Sequence, residues 1–182
     1  MTQQHFTRTA IVFHWLTALI IAGAFPVGLL MGDMAVTPFR IKVFVWHKWA
    51  GITVLILSSL RLSWRLGHPA PPPPAGMPAW QHRASRVVQW ATYILLFIVP
   101  LTGWMYSSAA GYSVVYLNWV PLPDLVGKSK ELAHQLKELH ETLNWVLFSL
   151  VMLHAAAALK HHFIDKDSVL LGMLRSAPRH KA

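Results

Sequence analysis

The chain has 182 residues, 54% of them hydrophobic and 13% charged, with a mean hydropathy of +0.41. So apolar a chain with so few charges points to a one-domain membrane protein rather than a soluble one. The absence of Cys excludes disulfides, thiolate catalysis, iron–sulfur ligation and thioether attachment of a cofactor. The formal charge of +9 falls between apolar runs rather than on an aromatic-laced basic face, which argues against nucleic acid as a partner.

The first apolar run, 10–31, has the length a bilayer core demands. It holds Pro26, a kink that neighbouring helices tolerate. It is too long for the apolar part of a signal peptide and is expected to be retained. A short turn over 31–42 carries Asp33 and Pro38 and leads to the second run, 43–64. The connector that follows, over 68–80, is rich in Pro (His68-Pro-Ala-Pro-Pro-Pro-Pro) and reads as a stiff, extended spacer. The third run, 86–106, contains Pro100. A longer loop, 107–127, holds Tyr112, Tyr116, Trp119, Pro121 and Pro123. The fourth run, 140–161, is preceded by an amphipathic helical stretch over 128–141. Several of the nine Trp sit at run edges, where interfacial belts form. The expected fold is all-α, an integral membrane four-helix bundle forming one domain over 1–182.

Charge orients it. The amino terminus, the Pro-rich connector and the carboxyl tail share one side and carry ten Lys and Arg: Arg8, Arg61, Arg65, Arg83, Arg86, Lys160, Lys166, Arg175, Arg179 and Lys181. The other side carries six, with five of the seven acidic residues. Both termini are therefore expected in the cytoplasm.

Eleven His in such a chain is the anomaly. His5 and His180 are terminal, His68 and His82 lie in or near the connector, His134 lies on the amphipathic lead-in, and His161 and His162 end the fourth span. His14, His47, His140 and His154 instead lie within or at the edge of apolar runs, where a polar ring is costly and marks function. Their depths pair them. His14 enters where His154 leaves, and His47 begins span two on the side where His140 begins span four. His140 and His154 stand 14 residues apart, close to four turns, so both rings leave one helix face about 21 Å apart along the axis. Zinc favours four protein ligands, or three with an open position. Two imidazoles per level suit instead the axial positions of a b-type haem, whose porphyrin supplies the other four nitrogens. Two haems, ligated by His14/His154 and His47/His140, are expected.

Other residues share these faces. Gly28 lies 14 residues beyond His14 and Gly51 one turn after His47. Each suits either close approach of a macrocycle or small-residue helix packing. Arg61, 14 residues after His47, is a candidate partner for a haem propionate, with snorkelling to the interface as the alternative. His161, seven residues after His154, is a candidate to hydrogen-bond a quinone or a propionate.

Phe13-His14-Trp15-Leu16, Trp46-His47-Lys48-Trp49-Ala50-Gly51, Arg61-Leu62, His140-Glu141 and the stretch from His154 through His161-His162 together resemble the bacterial cytochrome b561 family over nearly the whole chain. The run to Asp165-Lys166-Asp167 is similar to its stand-alone members rather than to hydrogenase or formate dehydrogenase subunits. The resemblance implies two b haems, the inner membrane, and electron exchange with ubiquinone. For stand-alone members it implies a superoxide:quinone oxidoreductase with superoxide as the one-electron donor. Two other readings stay open. One is a cytochrome b relay subunit docked to a hydrogenase or dehydrogenase as redox partner protein. The other is a non-redox membrane carrier that uses the His set for a metal.

Overall fold

In a computed structural model, residues 6–72 and 77–174 are described. His5, Arg175, Arg179, His180 and Lys181, used above, lie outside the described residues. Four helices are long and apolar enough to cross a membrane: α1 (Arg8–Met31), α2 (Pro38–Gly67), α3 (Ala79–Ala109) and α4 (Lys130–Phe163). Each extends past the apolar run that marks it. The amphipathic lead-in before the fourth run is the first turns of α4 itself. Exposed Leu19, Leu30, Ile56, Ile94 and Leu153 line the outside of the bundle, where lipid rather than water would cover them.

Local signals set the starts. Thr7, Thr37 and Ser129 cap α1, α2 and α4 by accepting from the backbone N–H of Ala10, Arg40 and Leu132, and Pro38 occupies the first turn of α2. Pro26 and Pro100 sit inside α1 and α3. The main packing pairs are α1 with α2 and α3 with α4, and α2 against α3 joins them. By contrast, the α1–α4 and α2–α4 backbones make no extensive close approach. Side chains bridge the gap: Phe25 of α1 stacks on Phe148 of α4 at 4.5 Å and meets Trp145 edge-on at 5.3 Å. Midway along the bundle, Val54, Leu95, Leu96, Val99 and Leu147 form a buried apolar layer, flanked by Ile20, Ile21, Leu143 and Leu150.

A hairpin between α3 and α4 and a short helix after α4 add to the four long helices. In the 107–127 loop, β1 (Val115–Tyr116) pairs antiparallel with β2 (Val120–Pro121). Leu117, Asn118 and Trp119 connect them, with Leu117 and Asn118 at positive φ of 53° and 62°. Lys48 Nζ donates to the Ser113 carbonyl, Trp49 Nε1 to the Val115 carbonyl, and Tyr116 Oη lies 3.0 Å from Thr53 Oγ1. These three bonds anchor the loop and its hairpin to α2. At the other end α5 (Val169–Leu174) follows α4. Trp15 Nε1 ties it down by donating to the Met173 carbonyl at 2.8 Å. The two ends are called here the termini end and the hairpin end.

Candidate haem-binding sites

The four intramembrane histidines meet in two pairs, one near each end. His14 of α1 and His154 of α4 have ring centroids 6.2 Å apart, with planes at 73°. His47 of α2 and His140 of α4 have centroids 6.3 Å apart, with planes at 90°. α4 supplies one ring to each level because a 14-residue spacing returns to the same face. The pairs span the α1–α4 and α2–α4 gaps, the places where the backbones stand apart. The apolar layer around Leu147 separates them, and Leu147 lies seven residues from each of the two α4 histidines.

The hairpin-end pair is held by its neighbours. Nδ1 of His140 lies 3.0 Å from the Val99 carbonyl. A carbonyl only accepts, so Nδ1 carries the proton and Nε2 keeps its lone pair. Asn144 Nδ2 donates to the His140 carbonyl at 2.7 Å. A Cβ on Gly28 would sit 3.0 Å from Cε1 of His47, and one on Gly103 would sit 2.9 Å from Cε1 of His140. Each ring is thus wedged against the glycine backbone of an adjoining helix. Gly28 makes room for the His47 imidazole of α2, a close helix–helix contact of the kind small residues permit. Gly51 meets only Pro100 Cβ at 4.0 Å, an ordinary α2–α3 packing contact. Gly103 escaped notice in the sequence, where only its place three residues after Pro100 set it apart.

Arg61 lies near the termini-end pair, close enough to interact electrostatically with both His14 and His154. Its guanidinium carbon is 5.2 Å from the centroid of the Tyr93 ring, and that of Arg65 is 5.8 Å from the same ring. Among the described residues, no carboxylate forms an ion pair with Arg61. Arg61 is partly buried at this end of the bundle. His161 lies at the end of α4, where its Nδ1 is 2.6 Å from Asp167 Oδ2 and 3.3 Å from Asp165 Oδ2. Asp165 also takes the ammonium of Lys160, and Asp167 Oδ1 accepts from the Val169 N–H at the start of α5. The Asp167 anchor of His161 is a tertiary contact with no pattern in the sequence to reveal it.

A profile of the prokaryotic cytochrome b561 family matches residues 5–176. The chain belongs to that family. It is 32% identical over 174 residues to cytochrome b561 homolog 2 of Escherichia coli (strain K12), covering 95% of this chain and 93% of the relative. It is 34% identical over 189 residues to cytochrome b561 homolog 1 of the same organism, covering 97% and 98%. A protein of Yersinia pestis named probable superoxide oxidase CybB is 29% identical over 161 residues, covering 88% and 90%. As a family member the protein is a multi-pass cytochrome of the bacterial inner membrane that binds haem b and transfers electrons.

The ring pairs fit haem iron better than zinc. Two imidazole nitrogens each about 2 Å from one ion, with half a ring on either side, put the ring centroids roughly 6 Å apart. Both pairs have that spacing. Zinc would need a third or fourth donor. Among the described residues, the one cluster of three or more His and acidic donors is His161 with Asp165 and Asp167. That cluster is away from both pairs and is already engaged by Lys160.

Proposed function

We propose that His14 with His154, and His47 with His140, each ligate one b haem, and that the cytochrome carries electrons from superoxide to ubiquinone. The observation that carries the reading is two imidazole pairs with centroids 6.2 and 6.3 Å apart, at opposite ends of one bundle, with no third His or acidic donor grouped with either among the described residues. A haem held by His14 and His154, or by His47 and His140, would supply reversible one-electron storage. With both imidazoles of a pair engaged, such a site would suit a small one-electron donor that needs no pocket on the metal. Two superoxide anions leave as two oxygen molecules, and the two electrons, with two protons, convert one quinone to quinol.

The chain's own residues do the rest. The Val99 carbonyl fixes the tautomer that leaves Nε2 of His140 free for the metal. The layer around Leu147 keeps water out between the two levels. Arg61, which forms no ion pair with a carboxylate among the described residues, would neutralise a propionate of a haem held there. His161, held through Nδ1 by Asp167, presents Nε2 to a quinone carbonyl oxygen or to a propionate. The ten-to-six Lys and Arg bias orients the termini end to the cytoplasm, which gives His161 access to cytoplasmic protons. The relative named as a probable superoxide oxidase supports superoxide as donor, and a cationic surface attracts that anion.

The test uses the purified, haem-loaded protein in lipid nanodiscs with no other subunit. Enzymatically generated superoxide should reduce the haems within the mixing time, added ubiquinone should reoxidise them, and the first step should slow as salt rises. Haems that stay oxidised under superoxide, yet are reduced on adding a hydrogenase or dehydrogenase, would replace this reading with that of a relay subunit.

A further inference from the structure

Hydrogen bonding around the hairpin-end rings is uneven. Besides the Val99 carbonyl at 3.0 Å, Nδ1 of His140 has Thr102 Oγ1 at 3.2 Å. Thr102 donates its own proton to that same Val99 carbonyl at 2.8 Å, so toward His140 its oxygen acts as acceptor. Thr17, Thr53 and Thr92 bond back to carbonyls four residues earlier, the ordinary habit of a helical threonine. Thr102 departs from it by bonding three residues back, to the one carbonyl that also holds a ring. It is buried, only 6% exposed, and precedes Gly103, which abuts Cε1 of the same ring. One imidazole is therefore fixed in tautomer and rotation by three features of α3. Its partner differs: Nδ1 of His47 is buried without a hydrogen bond of ordinary geometry, although the Ala24 backbone is near enough to interact with that ring.

We propose that Thr102 is a positioning residue for the hairpin-end haem, its hydroxyl locking the rotation of the His140 imidazole and making that ring the stronger electron donor of the pair. The inference rests on the ligation reading given above. An Nδ1–H that loses an acceptor leaves the imidazole less electron-rich, and a less donating ligand stabilises ferric iron less. Removing the hydroxyl should therefore shift the reduction equilibrium of one haem about ten-fold toward ferrous, which for one electron is about 59 mV upward. The other haem should keep its potential.

Full-length, haem-loaded wild type, Thr102→Val and Thr102→Ser are compared by optical redox titration and by electron paramagnetic resonance of the ferric protein. The orientation of the axial imidazole planes sets the anisotropy of a low-spin ferric signal, and loose packing alone does not restore it. Thr102→Val should raise one potential and move the largest g-value of one signal, while Thr102→Ser, which keeps the hydroxyl, should return both to wild-type values. Unchanged potentials and signals in Thr102→Val would overturn the proposal, as would equal shifts in the Val and Ser variants. If Thr102→Val fails to assemble, Thr102→Ala takes its place under the same criteria. A wild-type protein without low-spin signals would sink the ligation reading itself, and that outcome is seen before any substitution is made.

Discussion

Adding one methyl group at Gly103 should cost the protein its hairpin-end haem. The new Cβ would lie 2.9 Å from Cε1 of His140 and 3.2 Å from its Nδ1, where carbon atoms normally stay about 3.5–4.0 Å apart. Roughly 0.6–1.1 Å must be found. The ring is hemmed in, because moving it breaks the Nδ1–H bond to Val99 on one side and compresses the 6.3 Å pair spacing with His47 on the other. Overpacking of this kind costs about 1–3 kcal/mol, and the better helix propensity of Ala returns up to about 1 kcal/mol. Net stability should fall by about 0–3 kcal/mol, but the loss is concentrated on one ligand. Haem per chain should drop from two toward one, measured by pyridine haemochrome against protein concentration. Gly28→Ala should act alike through His47, whose Cε1 would be 3.0 Å away. Gly51→Ala meets only Pro100 Cβ at 4.0 Å, and Gly23→Ala meets nothing within 4 Å, so both should keep two haems. If Gly103→Ala bound two haems with an unaltered spectrum, the wedging of His140 against α3 would not govern ligation.

Replacing His154 or His14 with Ala should remove the termini-end haem and spare the other, with His47 and His140 doing the converse; two haems retained in either variant, by spectral quantification, would break the pairing. Arg61→Leu removes a unit charge from beside the termini-end pair, worth on the order of 1–2 kcal/mol at an effective dielectric near 20. The potential of that haem should fall in redox titration, because a nearby cation favours the reduced form. His161→Gln and Asp167→Asn should slow reoxidation by ubiquinone about a hundred-fold in stopped-flow while leaving reduction by superoxide unchanged. Reporter fusions at Gly76 and Ala182, both outside the described residues, should report a cytoplasmic location, and activity confined to the periplasm would reverse the orientation.

The four helices were legible because the bilayer fixes the length of an apolar run, and the depth of each intramembrane histidine followed from where its run begins. The 14-residue spacing between His140 and His154 needs only 3.6-residue periodicity to put two rings on one face. What escaped the sequence depends on contacts between elements distant along the chain. Gly28 shared the expected face, yet the atom it accommodates belongs to a ring on α2. Thr102 and Gly103 meet a histidine almost forty positions away, and no period connects them. The hairpin at Val115–Pro121 is too short for alternation to show, and its turn uses Leu117 and Asn118 rather than the glycine that would have announced it. The Asp167 anchor of His161 depends on the chain doubling back after α4.

The most direct test of the proposed ligation is haem stoichiometry combined with spin state on one purified sample. Two b haems per chain are expected, both six-coordinate and low-spin in the ferric and ferrous forms, neither binding carbon monoxide. A single haem, a high-spin ferrous component that takes up carbon monoxide, or a colourless protein carrying zinc would contradict the assignment of two bis-histidine sites to His14/His154 and His47/His140.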